Sequence, residues 1–160
     1  MTDLAIRLAT VADVPTILQF IRALAEYEKL LHLVVADEDA IRRSLFGPRP
    51  AAEVLLAERD RPIGFALFFQ SYSTFLAKPG LYLEDLFVLP DERGHGAGLA
   101  LMKALACVCV ERDYGRFEWA VLDWNAPSIA FYKRLGAVEL SDWNVMRLVG
   151  APLEALASLR

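Results

Sequence analysis

The sequence predicts a mixed α/β sandwich, a mostly antiparallel sheet with helices on both faces. Three observations lead there. Short apolar strands and helical patterns follow one another in the order β-α-α-β-β-β-α-β-α-β. A hairpin turn joins two of the strands, and a glycine-rich turn carries another strand straight into a long apolar helix. A chain of 160 residues with 56% hydrophobic content fits one domain, residues 1–160, with a real core.

The elements follow from period and punctuation. Ala5 to Leu8 reads as the opening strand. Thr10 or Asp13 then caps a helix whose apolar positions Val14, Ile17, Leu18, Ile21, Leu24 and Ala25 keep the 3.6 period. Asp37-Glu38-Asp39 opens a second helix through Ile41, Leu45 and Phe46, stopped by Gly47-Pro48. Val54 to Glu58 and Ile63 to Gln70 pair as a hairpin across Arg59-Asp60-Arg61-Pro62, and Ser71 to Gly80 reads as a loop. There follow a strand over Leu81 to Leu89, a helix over Leu99 to Arg112, a strand over Phe117 to Leu122, a helix over Pro127 to Leu135 and a final strand over Trp143 to Val149.

The strand ending at Pro90 feeds Arg93-Gly94-His95-Gly96-Ala97-Gly98, so three glycines lie at a helix start. Free backbone N–H groups and the positive end of the helix dipole favour an anion there, and glycines let a pyrophosphate approach the backbone. The turn is not a P-loop, which needs Lys then Ser or Thr where this chain has Leu99 and Ala100. Nor is it a dinucleotide fingerprint, whose third small residue would fall on Leu99. What remains is Arg-x-x-Gly-x-Gly after an acidic-apolar strand. A second segment, Asp123 to Ala137, starts at an Asn125 cap with Pro127 in the first turn and stops at Gly136, giving a short helix that carries Tyr132.

The turn resembles the acetyl-CoA pyrophosphate loop of the GNAT N-acetyltransferase superfamily, and Asn-x-x-Ser-x-x-x-Tyr followed by glycine resembles that superfamily's last helix. Ile6 to Thr10, Leu24 to Glu28, Leu83 to Asp85 and Trp124 to Gly136, taken in order, are most similar to its diamine (spermidine/spermine) branch, including the thialysine-acetylating relatives. The similarity runs over roughly residues 5–149. It implies acetyl-CoA contacts at Leu86, Phe87 and Val88, at Arg93, Gly94, His95, Gly96, Ala97 and Gly98, and at Asn125, Pro127 and Ser128, with Tyr132 meeting the sulfur as catalytic acid. It also implies an amine-facing wall of Tyr27, Glu28, Glu84, Asp85, Glu118, Trp119 and Ala120. A homodimer is implied as well, in keeping with the apolar content and with Trp143 near the last strand.

Acetyl transfer from a thioester to an amine needs a neutral amine, a stabilised oxyanion and a proton for the departing thiolate. Glu84 and Asp85 are adjacent on a strand, so they are expected on opposite faces; Glu84 is the one taken to act on the amine, through water. A bulge after Asp85 is the family expectation that would free a backbone N–H at Leu86 or Phe87 for the oxyanion. Tyr132, with an ordinary phenol pKa of about 10, holds its proton at neutral pH. No covalent enzyme intermediate is needed.

The acceptor is left open among a small diamine, a polyamine and a lysine-like compound. A long polyamine fits less well, because Trp143-Asn144 stands where the diamine branch places an acidic pair. Two rival readings are a protein or peptide N-acetyltransferase, which would need an open groove at Ser71 to Gly80, and a non-catalytic acyl-CoA-binding regulator. A net charge of −4 offers no basic footprint for nucleic acid and no polybasic segment for anionic lipid. Cys107 and Cys109 stand two apart on one helix, where side chains diverge by about 200°, so they read as packing residues. His32 and His95 read as ordinary loop histidines, and no His/Cys/Asp/Glu spacing resembles a metal site. No secretory leader and no spanning segment is read, so a cytoplasmic protein is expected.

Overall fold

A computed structural model describes residues 3–159, which divide into a unit ending at Leu122 and a unit beginning at Asp123. The first contains β1 (Ala5–Leu8), α1 (Val14–Tyr27), α2 (Glu38–Phe46), β2 (Glu53–Glu58), β3 (Pro62–Ser73), β4 (Lys78–Val88), α3 (Ala97–Glu111) and β5 (Phe117–Trp119). The strands form one sheet in the order β1-β2-β3-β4-β5, antiparallel throughout except for the parallel β4–β5 pair.

Local side-chain chemistry marks the starts of the first two helices. In the 3-10 helix Val11–Asp13 that leads into α1, the Thr10 N–H donates to Asp13 Oδ2 at 2.7 Å, and Arg7 clamps the same carboxylate at 2.8 Å, which holds Asp13 well below the usual carboxylate range. At α2, Asp37 Oδ1 accepts from the Ala40 N–H at 2.7 Å. The apolar stripe of α1 then packs with Ile41 of α2 on Val54, Leu56, Phe65 and Phe87, and Phe20 lies 5.6 Å from Phe65 and 5.9 Å from Phe87, ring to ring. Alternation along the strands sends Leu55, Ala57, Ala66 and Phe68 to the other face, where they are buried along with Leu101 and Leu105 of α3. The expected helices on both faces are therefore present.

Three expectations about elements are corrected. Ser71 to Gly80 is not a loop: Ser71, Tyr72 and Ser73 pair with Gly80, Pro79 and Lys78, leaving a four-residue turn, Thr74 to Ala77. Polar residues looked like loop by composition, but pairing with a neighbouring strand overrides that local signal. β5 ends at Trp119, short of Leu122. Trp143 to Val149 forms no strand, because alternation alone makes none without a ladder partner, and no strand of the sheet pairs with these residues.

The second unit contains α4 (Ala126–Arg134) and α5 (Ala151–Ala157). Asn125 Oδ1 accepts from the Ser128 N–H at 3.3 Å, and Pro127 sits in the first turn. At the other end Gly136 adopts φ +90°, while Gly136 and Ala137 donate to the Lys133 and Tyr132 carbonyls at 3.0 and 3.2 Å, a Schellman stop. α5 lies beyond the elements that the sequence pattern predicts; Gly150 before Ala151-Pro152 is its start signal. No helix among the described residues is long and apolar enough to cross a membrane.

Candidate active site

β4 is irregular in its middle. Phe68 pairs with Leu83 and Leu67 with Asp85, so Glu84 is one residue too many for the partner strand: a bulge. Adjacent carboxylates were expected on opposite faces, and a bulge breaks that alternation. Tyr82 and Asp85, three apart, stand opposite Phe69 and Leu67 and so share the face that α1 covers. The irregularity lies at Glu84, before Asp85 and not after it.

Pairing with β5 stops at Leu83 and Trp119, just short of the bulge. From Glu84 to Val88 the edge of β4 that faced β5 has no strand partner among the described residues. The Leu89 N–H donates to Ile63 of β3 at 2.9 Å, so alternation turns the Phe87 N–H to β3 and those of Leu86 and Val88 to the open edge. Of the Leu86 and Phe87 N–H groups, only that of Leu86 faces this way.

The two carboxylates differ in surroundings. Glu84 is exposed, whereas Asp85 is half-buried, and burial first, then the charges of Glu84 and Glu28, push its pKa up to about 6. Glu28, just past the α1 terminus, is also half-buried and raised by burial. Burial together with Glu84 and Glu118 raises the Tyr82 phenol. Glu118 pairs in register with Tyr82 and meets Arg116 Nε at 2.9 Å. Tyr82, Asp85 and Glu118 thus share one face, and with the Glu84 and Glu28 charges that act on Asp85 they make an acidic patch around the bulge. Trp119 pairs in register with Leu83 and so belongs to the opposite face from Asp85, and Ala120 lies beyond the end of β5. Tyr27 is exposed at the α1 terminus, with the Arg93 guanidinium stacked over its ring at 4.8 Å.

A short 3-10 helix, Pro90–Glu92, links β4 to the glycine turn. Gly94 and Gly96 have φ of +80° and +88°, and a Cβ built on either meets no other atom within 4 Å. The N–H groups of Gly94, His95 and Gly96 donate to no protein acceptor among the described residues, and α3 begins at Ala97 with its dipole adding to them. That is a fit to a phosphate-bearing ligand: consecutive unpaired donors, no side chain over the glycines, and a helix start. The His95 side chain is exposed. Arg93 turns back instead, its Nε donating to the Val88 carbonyl at 2.9 Å. Arg59, in the turn between β2 and β3, donates from Nη2 to the His95 carbonyl at 3.3 Å. Nothing in the local sequence flags that contact, since Arg59 and His95 are far apart along the chain. In the second unit, Asn125, Pro127 and Ser128 form the cap of α4, and Tyr132 lies in its last turn beside Phe131, the rings 5.3 Å apart. No group of three or more His, Cys, Asp or Glu among the described residues is arranged to hold a metal ion.

The acetyltransferase (GNAT) family model matches residues 18–137. The chain belongs to the GNAT acetyltransferase family. It is thus an N-acetyltransferase, and its relatives include members of the diamine branch that its motifs resemble. An L-ornithine N5-acetyltransferase of Arabidopsis thaliana is 36% identical, the match covering 96% of this chain and 88% of that protein. A thialysine N-epsilon-acetyltransferase of Sus scrofa is 37% identical over 98% of this chain and 99% of its own length. Among solved structures, an integron cassette protein from the mobile metagenome of V. cholerae superposes with a TM-score of 0.82 at 24% identity, covering 99% of this chain and all of that one; it speaks for the GNAT fold alone.

Proposed function

We propose that this GNAT N-acetyltransferase moves an acetyl group from acetyl-CoA to the terminal amine of a short diamine or of an ornithine- or lysine-like amino acid, by direct attack in a ternary complex. The observation that carries the reading is the acidic patch at the β4 bulge, where burial first, and then the charges of Glu84 and Glu28, push the Asp85 pKa up to about 6. Such a patch suits a substrate with more than one ammonium group.

Acetyl-CoA, when bound, supplies an activated thioester, and the unpaired N–H groups of Gly94, His95 and Gly96 with the start of α3 are the groups proposed to hold its pyrophosphate. Asp85 is proposed as the base that takes the ammonium proton at a carboxylate oxygen. A group titrating near 6 is ionised at neutral pH yet basic enough for that work. Glu84, which the sequence suggested for the amine, then holds the substrate's charge and tunes Asp85. The Leu86 N–H on the open edge of β4 is the proposed donor to the acyl oxygen as charge develops on it. Tyr132 is proposed to protonate the leaving thiolate, on the resemblance of its helix to the family's last one.

The named relatives acting on ornithine and thialysine support the size and charge of the acceptor. A protein acceptor has less support, because residues 71–80 pair as a hairpin where an open groove was required. We further propose a homodimer, supported by Trp143, Val145 and Met146 at 78%, 83% and 89% exposure. Purified protein should release free thiol from acetyl-CoA with ornithine, thialysine or a short diamine well ahead of spermine and of lysine-bearing peptides. A preference for the peptides would replace this reading with the protein-modifying one.

A further inference from the structure

The turn between β2 and β3 reaches across to the glycine turn with two arginines. Arg61 Nη2 meets Asp91 Oδ2 at 3.5 Å and Glu92 Oε1 at 3.9 Å, and Arg59 Nε lies 3.7 Å from Glu92 Oε2. Arg59 alone touches the backbone of the glycine turn, donating from Nη2 to the His95 carbonyl at 3.3 Å. Its side chain is only 18% exposed, and its buried Nε has no hydrogen-bond partner. A guanidinium is therefore kept largely out of water beside the turn.

The contact has a stereochemical consequence. In a planar trans peptide the C=O of one residue and the N–H of the next point in opposite directions. Holding the His95 carbonyl on the Arg59 side turns the Gly96 N–H to the opposite side, as one of the run of donors without a protein acceptor. This peptide is unusually free to rotate. Gly96 at φ +88° reaches the mirror region at little steric cost, so the plane can flip by changing the Gly96 φ and the His95 ψ. The flipped form would offer an anion a carbonyl oxygen where the present one offers an N–H.

We propose that Arg59 is a positioning residue for the acetyl donor: by holding the His95 carbonyl it selects the peptide orientation in which the Gly96 N–H faces the donor's pyrophosphate. The inference rests on the reading that acetyl-CoA is the donor and that the glycine turn receives its pyrophosphate. Arg61, through Asp91 and Glu92, braces the same segment from outside.

The test compares Arg59→Ala with wild type on two donors, acetyl-CoA and S-acetylpantetheine, which keeps the thioester and lacks the pyrophosphate. The expected result is a KM for acetyl-CoA raised about tenfold, the size of one lost charged hydrogen bond. The kcat, the amine KM and the rate with S-acetylpantetheine should stay unchanged, and the acetyl-CoA defect should persist from low to high ionic strength. An unchanged KM for acetyl-CoA overturns the proposal, as does an equal loss with S-acetylpantetheine, which marks general damage to the fold. A defect that vanishes at high salt also overturns it, assigning Arg59 to a direct charge contact. If wild type itself shows no thermal shift with acetyl-CoA, the donor reading fails first and takes this inference with it.

Discussion

At the scale of single residues, the role proposed for Asp85 makes the site respond to pH. Its folded pKa of about 6 lies above the ordinary carboxylate value near 4, so the folded chain holds this proton more tightly than the unfolded one. The cost of ionising it is absent below about pH 4, grows as pH rises through 6 and is complete above, at most about 3 kcal/mol. Asp85→Asn is therefore expected to gain stability over wild type in denaturant titrations at pH 8 and little at pH 4. The same substitution should remove an acid limb near pH 6 from the kcat/KM profile for the amine. Glu84→Gln, by deleting a like charge, should move that limb to lower pH without abolishing it. Tyr132→Phe tests the other proton: single-turnover transfer should slow by about 10²–10⁴-fold while acetyl-CoA affinity holds. The caps at Asn125 and Gly136 were legible in sequence because a cap is decided by neighbours within one turn. The division of labour proposed for Glu84 and Asp85 was not, because it depends on an extra residue that only the partner strand defines.

At the scale of elements, the glycine turn was legible for the same local reason, and the helix starts at Ala97, two residues before the predicted Leu99. Gly96→Ala separates the backbone's demand from the ligand's. A side chain at φ +88° costs about 1–2 kcal/mol with no ligand present, though its Cβ meets no neighbour. Calorimetry should thus show a modestly lower melting temperature for the free protein and a larger loss of the shift that acetyl-CoA produces. At about 100 times its dissociation constant, acetyl-CoA should stabilise wild type by roughly 2.7 kcal/mol. A variant that keeps the full shift would place the pyrophosphate elsewhere. Strand lengths were the less legible part. The β3–β4 hairpin absorbs Ser71 to Ser73, whose polarity suggested a loop, and Trp119 falls on the face away from Asp85 because register with Leu83 is set by β4.

At the scale of the whole molecule, order of elements and period were enough for the layered α/β plan, since each strand and helix shows its apolar face in its own sequence. The last predicted strand failed for want of a partner, and its residues Trp143, Val145 and Met146 are left among the most exposed apolar side chains of the chain. Light scattering at micromolar concentration should give about twice the 17.9 kDa chain mass, and replacing all three with polar residues should lower it to one chain. A single-chain mass for the unaltered protein would end the dimer proposal.

The parting of β4 from β5 also sets a pattern in time. Amide protons in the middle of a sheet are ordinarily the slowest in a protein to be replaced by deuterium, because a ladder must open before solvent reaches them. Leu86 and Val88 belong to a central strand, yet their N–H groups face an edge without a ladder, while that of Phe87 between them is turned to β3. Deuterium should therefore enter at Leu86 and Val88 ahead of Phe87, alternating along one strand. Saturating acetyl-CoA should slow Leu86 toward its neighbour's rate.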